Sequence, residues 1–243
     1  MDEIRLFEVG GSIRDELMGI ENPPDRDFCA ESPHGWEALL TWCHDNMKRV
    51  FLVTPEFFTV RGMMPNGTSI DVVMCRKDGP SADGRHPKFV KPGTLEDDLA
   101  RRDFTMNALA REVNPGSLEP IGEIIDLFNG INDIHAKKLM TVGDVDARFE
   151  EDGLRVLRAA RFCVTKNVRP NLSVKGALFN PRWWKFVADT VSEDRVRVEL
   201  HKMFSHNTVD AIRFLTNNCA HEALDHLFAH GSDIWLKPTV EKK

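Results

Sequence analysis

"VGGSIRDELMG" (residues 9–19) runs, after a single isoleucine, into "ENPPDRDFCAES" (residues 21–32). The first stretch reads as the end of a strand, "RLFEVGG", turning into a short helix. Ser12 can cap that helix, Asp15 and Glu16 fall in its first turn, and Gly19 stops it. The second stretch is broken by Pro23 and Pro24 and continues as a short extended run, "DRDFCA". In an extended strand residues i and i+2 share a face, so Asp25 and Asp27 present parallel carboxylates while Arg26 points to the other side. In "SIDVVM" the same alternation sets Ile70 and Val72 against Asp71 and Val73, giving a third carboxylate a route to the same place from a neighbouring strand. Three hard oxygen ligands on a sheet suit one or two Mg²⁺ ions that also bind phosphate. A lone D-x-D is otherwise an ordinary acidic turn, so its company decides.

That company is the glycine turn. A strand running into a helix N-terminus offers unpaired N–H groups and the positive end of the helix dipole to an anion. Gly10 and Gly11 let a phosphate approach the backbone, Ser12 adds a hydroxyl, and Arg14 is within reach of the same phosphates. No lysine follows at the Walker spacing, and the dinucleotide fingerprint lacks its third glycine. A nucleoside triphosphate with a divalent metal is the combination left.

At 243 residues the chain fits one large domain or two small ones. Its 42% hydrophobic and 29% charged residues are those of an ordinary soluble globular protein. No window approaches the roughly 18 apolar residues of a membrane span. The first residues, "MDEIRLFEVGG", carry acids where a signal peptide carries bases. The expected location is cytoplasmic, with no membrane partner. Five widely spaced cysteines without a C-x-x-C pair argue against structural zinc and a disulfide framework, and for buried free thiols. Tyrosine is absent, which leaves Phe, Trp, His and Arg for stacking on bases.

The formal charge of −6 argues against a general nucleic-acid binder, but it is unevenly spread. Residues 1–130 hold 14 Lys+Arg against 23 Asp+Glu, and residues 131–243 hold 18 against 15, giving −9 and +3. An acidic front with a mildly basic back suits a metal-dependent site joined to a segment that touches a polyanion. Two ordinary solvated surfaces would have the same balance.

The expected layout follows the same division. A helix is expected over 34–50 through Trp36, Leu39, Leu40 and Cys43. "EFFTVRGMM" and "SIDVVMCR" flank "PNGT" as a hairpin. Residues 76–93, rich in Gly, Pro and charge, read as a mobile loop. "TLEDDLARRDFTMNALAREV" (94–113) opens on a capping signal at Thr94 and runs in helical period, as do "GEIIDLFNGINDIHAKKLM" and "ARFEEDGLRVLRAARFCVT". From about residue 131 only helices are expected, including "PRWWKFVADTVS", "SEDRVRVELHKMF", "VDAIRFLTNN" and "HEALDHLFA". Trp183 and Trp184 fit buried helix packing better than an RNA stacking face. The class is α+β: a small mixed sheet with helices over 1–130, followed by an all-α part over 131–243.

Four segments in this order, "VGGSIRDELMG…DRDF", "RRDFTMNALA" (101–110), "EEDGLRVLRAARF" (150–162) and "SEDRVRVELHKMF" (192–204), resemble the successive motifs of the class II tRNA nucleotidyltransferases. These are the CCA-adding enzymes and bacterial-type poly(A) polymerases of the polymerase-β superfamily. "RKDG…DGRHP" is similar to the family's segment ahead of its R-R-D-F motif, and the likeness runs from about residue 6 to 228. The resemblance implies a polymerase-β-like catalytic head followed by a helical neck and a body that the chain holds in shortened form. It implies Mg²⁺ held by Asp25 and Asp27, with Asp71 as a third catalytic carboxylate. Gly10, Gly11, Ser12 and Arg14 would cradle the triphosphate, and Asp103 would lie near the ribose hydroxyls with Arg102 and Asn107 in support.

On a helix Asp152 and Arg155 lie three residues apart and share a face. A carboxylate accepts and a guanidinium donates, the pattern that cytosine and adenine match and that uracil and guanine reverse. The resemblance makes this pair the template that selects C and A, with Arg158 and Arg161 continuing a basic face toward nucleotide or RNA phosphate. The implied activity is untemplated addition of CMP and AMP, from CTP and ATP, to the 3′ end of tRNA. Poly(A) polymerase-type adenylation of RNA and a non-catalytic RNA-binding relative are the alternatives. Two positions depart from the family's pattern: "PSA" (80–82) stands where it usually has a tyrosine, and Met140 stands where a basic residue usually precedes T-V-G. The loop at 76–93 is of family-like length, which favours AMP addition over a CC-only activity.

Overall fold

A computed structural model of the chain describes residues 4–20, 26–79 and 89–227. Contacts divide these into two units, one holding the described residues through Gly79 together with Phe89–Ile134, the other beginning at His135. Among the described residues no helix is long and apolar enough to cross a membrane. The five cysteines are buried and free.

The first unit is built on a seven-stranded mixed sheet. Its strands are β1 (Arg5–Val9), β2 (Asp27–Glu31), β3 (Arg49–Thr54), β4 (Thr59–Met63), β5 (Ser69–Met74), β8 (Leu109–Val113) and β9 (Pro120–Asp126). They lie in the order β3-β4-β5-β2-β1-β8-β9, and only β2 and β5 pair in parallel. Period-two alternation separates the two faces. Leu6, Phe28, Ala30, Val60, Ile70, Val72 and Met74 pack on one side against Leu39, Cys43 and Met47 of helix α2 (Trp36–Asn46) and the residues after it. The opposite alternation carries Asp27, Asp71 and Val73, as the strand pattern requires.

The β4–β5 hairpin forms around the expected Asn66-Gly67 turn, with Gly67 at φ +87°, a conformation that glycine reaches without steric cost. Elsewhere tertiary pairing overrides local pattern. Helix α2 stops at Asn46, four residues short of the expected end, and the β-branched, aromatic run Arg49–Thr54 becomes an edge strand. The expected loop over 76–93 has paired ends, β6 (Arg76–Asp78) with β7 (Val90–Pro92), while residues 80–88 lie outside the described set. The helical period expected over 94–113 yields only α3 (Leu95–Ala100). Leu109–Val113 instead hydrogen-bonds between β1 and β9. Pro120–Asp126 is likewise a strand where a helix was expected.

The second unit is helical, as expected. After α1 (Gly11–Leu17) and α4 (Gly130–His135) in the earlier part come α5 (Val145–Glu151), α6 (Leu154–Thr165), α7 (Leu172–Leu178), α8 (Pro181–Thr190), α9 (Glu193–His206), α10 (Thr208–Asn218) and α11 (Glu222–Leu227). Among its described residues the one strand contact is a two-residue parallel pairing of β10 (Lys138–Leu139) with β11 (Arg169–Pro170), where only helices were expected. Trp183 and Trp184 are buried packing residues. Trp183 stands edge-on to Phe149, with ring centroids 5.6 Å apart, and the Trp184 indole N–H donates to the Leu178 carbonyl at 2.8 Å.

Candidate active site

The parallel pairing of β2 with β5 sets Asp27 directly opposite Asp71, and the antiparallel pairing of β5 with β4 sets Asp71 opposite Arg61. The next row along the strands is Cys29, Val73 and Thr59. Asp27, Asp71, Cys29, Val73 and Thr59 of these rows, together with Val9, Phe28 and three residues near the end of α3, Asp98, Arg101 and Arg102, line a cavity of about 250 Å³. Asp27 is exposed and Asp71 half-buried, so carboxylate oxygens from two adjacent strands border one pocket. The route proposed from alternation, a third carboxylate arriving from a neighbouring strand, is the one the sheet takes for Asp71. Asp25 lies outside the described residues. Among the described residues no group of three or more His, Cys, Asp or Glu is arranged to hold a metal ion.

The same cavity also has a basic part to its lining. Asp98 is fully buried, and its carboxylate accepts from Arg101 at 2.5 and 3.0 Å and from Arg102 at 3.1 Å. Burial pushes the Asp98 carboxyl up, but the guanidinium groups of Arg102 and Arg101 outweigh it and hold the group below the ordinary carboxylate range. Asp98 and Arg101 escaped the sequence reading, although the i,i+3 and i,i+4 spacing in "DDLARR" was the available signal. Burial pushes the Cys29 thiol well up, which keeps it protonated as part of the wall.

The glycine turn abuts this wall. Gly10, at φ +80°, is the N-cap of α1, and a Cβ there would meet Arg102 Nη1 at 2.6 Å. Only glycine allows that guanidinium to lie against the turn. Ser12 is therefore not the cap: it lies inside the seven-residue helix and is buried. Arg14 is also buried and donates to Asn107 Oδ1 at 2.5 Å and to Asp15 at 2.8 Å. Asn107 in turn donates to Asp103 at 2.9 Å, and the Phe104 backbone N–H donates to the same oxygen at 2.8 Å. Gly10, Arg14, Arg102, Asp103 and Asn107, singled out separately from sequence, thus form one connected layer.

Arg26, between the two aspartates of the D-x-D, turns to the other side as alternation requires. It donates to Glu8 at 2.9 and 3.0 Å and to the Leu118 carbonyl at 2.8 Å. Glu8, buried and also bonded by Arg111 at 3.2 Å, was not among the expected residues. Burial raises its carboxyl, and the hydrogen bonds from Arg26 among others bring it below its ordinary value.

In the helical unit Asp152 is not on a helix. It sits in the bend between α5 and α6 with φ −152°, its carboxylate accepting from the Leu154 backbone N–H at 3.1 Å and from Arg195 at 2.9 Å. Arg155, in the first turn of α6, donates to Glu151 at 2.7 Å and to the Arg148 carbonyl at 3.0 Å. The two side chains come from one tight turn, Arg155 N–H to Asp152 C=O at 3.0 Å, rather than one helix face. The expected basic face breaks at Arg161. That residue is buried and paired with Glu199 of α9, while Arg158 lies 3.8 Å from the same carboxylate and packs over Phe162. Arg161 therefore takes part in the packing of α6 on α9.

A family model described as the poly A polymerase head domain matches residues 6–140. A curated CCA-adding enzyme of Oceanobacillus iheyensis is 37% identical over 231 residues, covering 94% of this chain and 53% of the relative. Among solved structures, Bacillus stearothermophilus CCA-adding enzyme in complex with CTP superposes with a TM-score of 0.73 at 26% identity, over 95% of this chain and 51% of that one. Thermotoga maritima CCA-adding enzyme complexed with tRNA gives 0.71 at 26% identity, over 93% and 48%. The chain spans about half the length of the relatives it matches.

Proposed function

The chain belongs to the poly(A) polymerase head-domain family, and from that membership we propose that it adds CMP and AMP, from CTP and ATP, to the 3′ end of tRNA. The observation that carries the reading is the row in which Asp27 and Asp71 stand opposite each other, in one cavity with Arg101 and Arg102. An acidic side that suits divalent cations and a basic side that suits phosphates is what a nucleoside triphosphate with its metal requires.

The donor set fits Mg²⁺, since carboxylates are hard oxygen ligands presented side by side at the edge of a roomy pocket. Asp27 and Asp25 would hold it, with Asp71 as the third carboxylate. When bound, the ion supplies neutralisation of the triphosphate and a lowered pKa for the attacking RNA hydroxyl. The chain's own groups orient the substrate. Arg102, braced by Asp98 and by the Asn107 carbonyl, meets the phosphates beside the backbone of Gly10 and Gly11. Arg14 and Asn107 support that turn from below and orient Asp103, which is assigned to the ribose hydroxyls. Asp152 and Arg155 are assigned to the base edge, each held by a second charged residue, Arg195 and Glu151 respectively.

The deciding experiment incubates the chain with Mg²⁺ and a tRNA ending at its discriminator base, supplying CTP and ATP singly and together, with products resolved to the nucleotide. Three additions with both nucleotides, absent in Asp27→Asn, are expected. Long adenylate tails with ATP alone would replace this reading with poly(A) synthesis, and no incorporation would remove it.

A further inference from the structure

Arg61 carries no role in the reading above, yet it stands in the same row as the two aspartates, Arg61 opposite Asp71 and Asp71 opposite Asp27. Like charges directly opposite on adjacent strands destabilise a sheet, so Asp27 and Asp71 side by side are relieved by a positive charge on either carboxylate. Arg61 provides it. Its Nε donates to Asp71 Oδ1 at 2.6 Å and its Nη2 to Oδ2 at 2.5 Å, a fork that engages both carboxylate oxygens. Among the described residues, the cations that line the cavity, Arg101 and Arg102, are bound to Asp98. The pair is formed largely in water, with the Arg61 side chain 57% and that of Asp71 32% exposed, so it is weak enough to exchange.

Resting on the metal reading of Asp25 and Asp27, we infer that Arg61 is a positioning residue. It occupies Asp71 as a built-in counter-ion and is displaced when a divalent cation takes that carboxylate. Arg61 thereby lowers the affinity of the site for metal in the absence of nucleotide, because each binding event must break the fork.

The test is Mn²⁺ binding to the full chain without nucleotide, followed by the loss of the free-ion EPR signal, with circular dichroism melts to confirm that each variant is folded. Arg61→Gln is expected to bind Mn²⁺ roughly two- to fivefold more tightly than the parent, the range open to an exposed pair. Arg61→Lys, which keeps the charge without the fork, should fall between them. In an Asp71→Asn background Arg61→Gln should have no further effect, since the interaction is then already gone. Unchanged or weaker binding by Arg61→Gln, with Asp27→Asn still weakening it, would overturn the counter-ion role while leaving the metal reading in place. Binding insensitive to Asp27→Asn would sink the metal reading itself, and this inference with it.

Discussion

The charge that most constrains the cavity is Asp98, a side chain with no solvent exposure that holds Arg101 and Arg102 in place. Removing one member of a buried charge group leaves the others unpaired, so Asp98→Asn should cost about 3 kcal/mol in urea unfolding. The same residue sets a pH dependence. Its folded-state pKa lies below the unfolded value of about 4, so its contribution is complete above that value and is lost as the pH falls through the folded pKa. Thermal melts between pH 6 and pH 3 should therefore show a steeper fall for the parent than for Asp98→Asn; parallel curves would contradict the pairing. At this scale the sequence was legible where one period governs. Alternation placed Asp27 and Asp71 on the same face with Arg26 opposite. It misled where a side chain's partner comes from a distant element: Glu199 claims Arg161, and the bend before α6 takes Asp152 off the helix face it was expected to share with Arg155.

The elements that position the site are short, and local capping matters to them. Helix α3 has six residues and delivers Asp98, while Arg101 and Arg102 follow its last turn. Its start is a capping box in which the Asp97 N–H donates to Thr94 Oγ1 at 3.2 Å and the Thr94 N–H donates back to Asp97 at 3.1 Å. Thr94→Ala should lose about 1 kcal/mol of stability in urea, and Thr94→Ser should retain most of it. Equal losses in the two would assign the effect to the threonine methyl instead of the cap. That box was readable in advance, as was the Asn66-Gly67 hairpin, because both are encoded within a few residues. Strands β8 and β9 were not, because "NALAREV" and "GEIID" satisfy a helical period as well as an extended one. Only pairing of Leu109–Val113 between β1 and β9 decides the matter.

Across the whole chain the division into a sheet unit and a helical unit separates two kinds of chemistry by sequence. The carboxylate row and its arginine wall lie in the first, and Asp152 with Arg155 lies in the second. The charge split of −9 against +3 follows the same order, and it was legible from composition alone. The expected arginine face of α6 is not continuous, since Arg161 is buried and paired with Glu199 inside the helix packing. If the proposed roles hold, the two chemistries fail independently. Asp27→Asn should weaken Mn²⁺ binding and abolish incorporation of every nucleotide alike. Arg155→Ala should leave Mn²⁺ binding unchanged and instead erode the preference for CTP and ATP over UTP and GTP by roughly 10- to 100-fold, the range expected when a mismatched base no longer leaves a buried donor unpaired. The comparison is incorporation efficiency for each nucleotide measured singly on the same tRNA. A uniform loss over all four nucleotides in Arg155→Ala would mean that this arginine braces the turn through Glu151 and the Arg148 carbonyl rather than reading the base, and selection would then have to be sought on other side chains.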